Sequence, residues 1–210
     1  MKFSLAATLM GIAATAVSAQ DKQDGPFALR VKGTNEHSKI KGYGYSCHAG
    51  AAIAGLCYSN QTISKPNISN TFTYYFNYTG FTQAGDDEAG TLIWKQPYTD
   101  QDGNPASVDE PMGLVYQPTS NVAAPLFAYA QDVFLVGFDN KGELFGYNYV
   151  DDTKFAPGQP PSDYTGKAYY HWAVCWQYFT GYYYQSVAWV QVGAPRNPTC
   201  EPVEITKVKV

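Results

Sequence analysis

The chain has 210 residues, 14 lysines and arginines against 18 acids, a formal charge of −4, and 16% aromatic side chains. The basic residues are scattered, with no cluster able to track a phosphate backbone, which argues against nucleic acid and anionic membrane surfaces as partners. The length suits one large all-β domain, and no proline- or serine-rich linker divides it.

In chain order, the first feature is a lone Lys2 followed by the apolar run Phe3 to Ala16 and the small residues Val17-Ser18-Ala19. This reads as a secretory leader over residues 1–19, too short and wrongly flanked for a membrane span. Its removal leaves a single domain over residues 20–210, with 13 basic residues against 18 acids and a net charge of −5. No later apolar run approaches the ~20 residues needed to cross a bilayer, and residues 205–210 do not form the hydrophobic tail of a glycolipid anchor. The expectation is a secreted protein, extracellular or held at the cell wall, and a monomer.

Phe27 to Lys32 alternates apolar and polar residues up to Gly33, as a half-buried strand does. Ala49 to Leu56 is the one stretch with some helical character, and Gly50 and Gly55 limit it to a turn or two. Thr71 to Tyr78 is rich in β-branched and aromatic residues, Thr91 to Trp94 begins another strand, and Gly113 to Tyr116 a further one. Val133 to Phe138 and Glu143 to Val150 flank the turn Asp139-Asn140-Lys141-Gly142 as a hairpin. A second, longer hairpin runs from Tyr169 to Phe179 and from Tyr182 to Val192 around Thr180-Gly181. On its first strand Tyr170, Trp172, Val174, Trp176 and Tyr178 share one face; His171, Ala173, Cys175, Gln177 and Phe179 share the other. Apolar groups on both faces suggest a central strand covered on each side. Val203 to Val210 closes the series. Many short strands separated by Gly, Pro, Asn and Asp predict a two-sheet antiparallel β-sandwich, jelly-roll or lectin-like.

Cys47, Cys57, Cys175 and Cys200 form an even set in a chain read as exported, hence two disulfides. The pairing Cys47–Cys57 and Cys175–Cys200 closes two short local loops, each worth about 3 kcal/mol in the chain-entropy model. A catalytic thiol at Cys47 is disfavoured, because the adjacent His48 points to the opposite side of a strand. Asn60, Asn67 and Asn77 satisfy the N-glycosylation rule, whereas Asn197 fails it through Pro198. Together they define a sugar-covered flank, so a binding face is expected elsewhere.

Three stretches carry a resemblance: Tyr45 to Cys57, Asn148 to Asp152, and Trp172 through Tyr184 and Trp189 to Cys200. In these the chain resembles a family of small secreted proteins of filamentous ascomycete fungi to which no activity is assigned. The likeness spans nearly the whole chain after the leader, with the cysteine contexts recurring in order. It implies an extracellular or wall-associated fungal protein and supplies no catalytic residues.

No catalytic motif stands out. The carboxylates Asp86, Asp87, Glu88, Asp109, Glu110, Asp139, Glu143, Asp151 and Asp152 fall in or beside expected turns, where acids solvate and cap. A glycosidase needs two of them at a defined separation, and none is expected mid-strand among aromatics. Asp100, Asp102 and Asn104 alternate like the ligands of a calcium loop. Pro105 and Pro111 stand where an EF-hand needs Gly and Glu, leaving a looser Ca2+ site or an ordinary Asp-Gly turn. His37, His48 and His171 are too dispersed for a zinc motif, and no cofactor is implied. The positive clue is the aromatic hairpin, in which Trp176, Tyr182, Tyr183, Tyr184 and Gln185 are candidates for binding a polysaccharide or cell-wall glycan through a sheet face. The competing reading places most of these rings in the core. A carboxylate-dependent glycan hydrolase or lyase is the alternative, and an effector-like protein acting on a host the third.

Overall fold

The computed structural model describes residues 22–63, 68–128 and 132–210; the leader, Asn67 and Tyr129 to Gln131 lie outside them. The described residues are all-β, with two short 3-10 turns at Asn70–Phe72 and Asp152–Lys154. Thirteen strands follow in chain order: β1 (Lys22–Gly33), β2 (Lys41–Gly50), β3 (Ile53–Ser59), β4 (Tyr74–Ala84), β5 (Asp87–Thr99), β6 (Pro105–Val115) and β7 (Val122–Ala128). Then come β8 (Leu135–Phe138), β9 (Leu144–Asn148), β10 (Lys167–Tyr169), β11 (Trp172–Phe179), β12 (Tyr182–Val190) and β13 (Glu201–Lys209).

Every pairing is antiparallel, and the expectation of two separate sheets gives way to one that closes on itself. The ring of nine strands runs β1–β13–β11–β12–β3–β7–β6–β5–β4 and back to β1. Closure follows from strands that are paired along both edges. β1 carries β13 on one edge, while its other edge is shared between β4 and β2. β5 pairs β8 through Ala89 to Thr91 and β6 from Ile93 onward. A ring has no free edges in its wall, which removes the aggregation hazard of an open sheet. β8, β9 and β10 extend from the start of β5 as a flap, and a Glu143–Thr206 bridge ties the flap back to β13.

The interior is filled by Leu29, Val31, Leu56, Tyr74, Leu92, Trp94, Phe127, Trp172, Trp189 and Ile205, among others. Two smaller apolar clusters lie on the other side of the wall, and each contains a disulfide. Cys47–Cys57 packs with Ala49, Leu126 and Phe179, and Cys175–Cys200 with Val122, Ala173, Ala188 and Val190. The pairing read from loop length is the one observed, and the thiol reading of Cys47 is thereby removed.

The stretch Ala49 to Leu56 is a hairpin between β2 and β3, not a helical turn. Gly50 and Ala52 adopt positive φ there, reversing the chain within the span of the first disulfide. The β11–β12 hairpin has the expected turn, with Thr180 at φ 50° and Gly181 at φ 94°. These two left-handed residues match the twist of the flanking strands.

Candidate functional site

At its turn end, the β11–β12 hairpin presents aromatic rings on both faces. Tyr178 pairs with Tyr183 and Trp176 with Gln185, so these four side chains share a face. Trp176 is 44% exposed, Tyr178 63% and Tyr183 61%, and the Trp176 and Tyr183 rings stack at 5.2 Å. The same face carries Trp172 and Val174 into the core nearer the strand's start. The change has a topological cause: β13 pairs β11 only at Ala173 and Val174, so the wall stops before Trp176. There the edge of β11 is held by side chains instead, the Trp176 amide donating to Thr199 Oγ1 and Asn197 Nδ2 donating to the Trp176 carbonyl. The expectation of a strand covered on both sides therefore holds for Trp172 to Cys175 and fails beyond.

Tyr182 and Tyr184 lie on the opposite face, stacked parallel at 5.8 Å, with His48 edge-on to Tyr182 at 5.1 Å. The five candidate ligand residues are thus divided between two faces. Trp176, Tyr183 and Gln185 can form one platform; Tyr182 and Tyr184 cannot join it.

The other end of the same hairpin borders a larger feature. An open cleft of about 740 Å³ runs between the β8–β10 flap and the start of β11, lined by Tyr116, Phe134, Tyr147, Tyr149, Tyr169, His171 and Trp189 among others. Trp189 is its floor. A Cβ built on Gly146 of β9 would lie 2.4 Å from the Trp189 ring and 2.7 Å from that of Phe134, so only glycine lets both rings rest on this backbone. Trp189 also meets Phe134 at 5.0 Å, Trp172 at 4.8 Å and His171, nearly parallel, at 5.2 Å. Replacing Gly146 with valine is expected to displace these rings and destabilise the fold by about 2 kcal/mol. Chemical denaturation checks this, and an unchanged midpoint would contradict the packing argument.

Polar groups shape the rim. Asn148 accepts from the Tyr149 amide and donates to the Val150 carbonyl, fixing the turn that raises Tyr149. Asp151 caps the following 3-10 turn by accepting from the amide and hydroxyl of Thr153. The Thr153 hydroxyl, then its amide and the Lys154 and Lys167 charges, hold the Asp151 carboxyl below the usual carboxylate range. Burial pushes the Tyr116 phenol up, partly offset by its hydrogen bond with Gln191 on the same rim. A smaller groove of about 150 Å³ continues from the cleft, sharing Tyr149, Asp151 and Tyr169 and adding Lys154, Phe155, Asp163 and Lys167.

The remaining candidates are scattered. Asp100 Oδ1 accepts from the amides of Asp102 and Asn104, and Oδ2 from Asn104 Nδ2. Both oxygens thus serve the turn between β5 and β6, and these bonds, the Asn104 amide foremost, lower the Asp100 pKa. No group of three or more His, Cys, Asp or Glu placed to hold a metal occurs among the described residues. His37, His48 and His171 stay apart: His37 beside Glu36, His48 against Tyr182, His171 on Trp189. Asn60 is exposed after β3, and Asn77 lies on β4 between Phe76 and Tyr78, which turn inward, with its Oδ1 accepting from Gln23.

Among the carboxylates, Asp139 closes the β8–β9 turn by accepting from the Lys141 and Glu143 amides, and the Tyr170 hydroxyl donates to its other oxygen at 3.3 Å. Burial, then Asp139, pushes Tyr170 up to about 12; burial, then repulsion from Asp139 and Asp86, raises Asp87, and burial, then repulsion from Glu204 and Asp139, raises Glu143. Asp109 pairs with Lys95 at 2.7 Å. Glu110 corrects the expectation of solvated turns. It lies mid-strand in β6 opposite Trp94, 1% exposed, and neither carboxylate oxygen has a hydrogen-bond partner among the described residues. Its face is that of Met112, directed into the core, and it does not line the cleft.

Sequence reasoning missed the cleft itself. Tyr116, Phe134 and the pair Tyr147 and Tyr149 come from three separate stretches, and only the folding of the flap onto β11 and β12 unites them with Tyr169, His171 and Trp189. Comparison with family models, with curated proteins and with solved structures gave no match.

Proposed function

We propose that the protein is an extracellular glycan-binding protein whose principal site is the aromatic cleft, with the Trp176–Tyr183 platform as a second, flatter contact. The observation that carries this reading is the convergence of seven aromatic rings on one open cleft with Asn148 and Gln191 on its rim. Sugars present C–H faces and hydroxyls together, and Tyr, Trp and His offer a ring face with a polar edge to match. Two disulfides suit an oxidising compartment, and the resemblance to secreted fungal proteins makes a wall polysaccharide the natural ligand.

The hydrolase alternative draws less support. The carboxylates that line the cleft, Asp151 and Asp152, are neighbours on one wall, whereas glycoside hydrolysis needs a pair flanking the bond. Asp151 is held ionised and so is unsuited to donate a proton.

Binding is best measured by co-sedimentation with insoluble chitin, β-glucan and cellulose, followed by calorimetry with the soluble oligomers of whichever polymer binds. Tyr149→Ala is expected to weaken that binding about tenfold, as loss of one ring stack does, while leaving the unfolding midpoint in place because Tyr149 is exposed. Loss on Trp176→Ala alone would move the principal site to the hairpin tip. Binding to none of the polymers would overturn the reading.

A further inference from the structure

Granting the cleft as the glycan site, we infer that it selects sugars carrying a free, protonated amine over N-acetylated or acidic ones. Among the described residues, those lining the cleft include two carboxylates, Asp151 and Asp152, and no lysine or arginine. The adjoining groove contains two lysines, and both are neutralised in place: Lys154 lies 3.8 Å from Asp151 and Lys167 lies 3.6 Å from Asp163. Asp152 has no ion-pair partner among the described residues and is exposed at the start of its 3-10 turn. The lining thus holds one uncompensated carboxylate among ring faces that are themselves electronegative.

Both elements favour the same ligand charge. An ammonium gains from the carboxylate by direct attraction and from Tyr149, Tyr169 or Trp189 by cation–π contact. A uronate would face the Asp152 carboxylate, while the nearest lysines, Lys154 and Lys167, are already paired with Asp151 and Asp163. An N-acetyl group retains the sugar's C–H face and loses the charge. The chemistry therefore fits an oligomer of hexosamine units, in which apolar ring faces and ammonium groups repeat along one chain and can occupy cleft and groove together.

The test is calorimetric titration with glucosamine, N-acetylglucosamine and galacturonic acid oligomers of equal length, with spermidine as a cation lacking the sugar ring. The proteins are the wild type, Asp152→Asn and Tyr149→Ala, each first shown by its melt to be folded. With the amine protonated and at low salt, the wild type is expected to favour the glucosamine oligomer over the N-acetylated one roughly three- to tenfold. Added salt should shrink that preference, and Asp152→Asn should reduce it to less than about twofold. Equal affinities in the wild type, or an undiminished preference in Asp152→Asn, would overturn the selectivity. If Tyr149→Ala still lost binding in that case, the glycan reading would stand without it. Spermidine binding as tightly as the glucosamine oligomer would assign the cleft to a bare polyamine, and no binding of any oligomer would overturn the glycan site as well.

Discussion

Replacing Glu110 with methionine is expected to raise stability at neutral pH by about 3 kcal/mol and to abolish a loss of stability that the native chain undergoes between about pH 4.5 and pH 7. Burial of a carboxyl with no hydrogen-bond partner among the described residues pushes its pKa from 4.5 up to about 7. The unfolded chain releases this proton near 4.5 and the folded chain holds it until about 7, so folding takes up a proton across that window. Stability therefore falls as pH rises through it. Below the window both states are protonated and the charge penalty vanishes; above it both are ionised and the full penalty applies. A gap of about 2.5 pKa units at 1.36 kcal/mol each gives the expected size. Methionine keeps the length and unbranched shape of the side chain while removing the charge, which is the replacement that favours a buried ionisable site. Urea unfolding of the wild type, Glu110→Met and Glu110→Gln across that range tests it. The glutamine variant should lose the pH slope yet gain less stability, since its amide stays unpartnered. A wild-type slope that survives in Glu110→Met would place its origin elsewhere.

The second large effect is expected at Trp172. Its indole is buried, meets Trp189 at 4.8 Å, and donates to the Leu144 carbonyl of β9 at 2.9 Å. One side chain on β11 thus packs the core and fastens the flap that walls the cleft. Trp172→Ala should destabilise by about 4 kcal/mol, combining a large cavity with an orphaned carbonyl. Trp172→Phe, which preserves most of the volume and forfeits the hydrogen bond, should lose about half of that. Both should weaken ligand binding at temperatures where the barrel is still folded, because β9 is released first. A Trp172→Ala variant within about 1 kcal/mol of the wild type would show that the flap is held by other contacts.

What the sequence made legible was local. The β8–β9 and β11–β12 hairpins announce themselves through turn residues and β-branched or aromatic flanks, and the cysteine loops by their shortness. β2 and β7 stayed hidden because their compositions read as loops: β2 carries Gly42 and Gly44, and β7 carries Ala123, Ala124 and Pro125. The alternation that separates Tyr182 and Tyr184 from Tyr183 and Gln185 was available in the residues. Which face would meet solvent was not, because that depends on where β13 stops. Glu110 was legible in part: Ala106, Val108, Met112 and Leu114 share its alternate positions, an apolar series in which a carboxylate stands out. The flanking prolines and the neighbouring Asp109 disguised that series as a turn. Ring closure and the cleft depend on partners far apart in the chain, and no local pattern encodes them.

The pairing of β1 with β13 has a consequence for biosynthesis. Phe27 lies opposite Lys209 and Gly33 opposite Val203, so the seam of the barrel joins an early-made segment to one made much later. While β13 is still in the ribosomal tunnel, β1 offers one whole edge to whatever strand is nearby. Nascent chains stalled before residue 200 should therefore be chaperone clients that cross-pair with one another, whereas emergence of β13 lets each molecule seal its own wall.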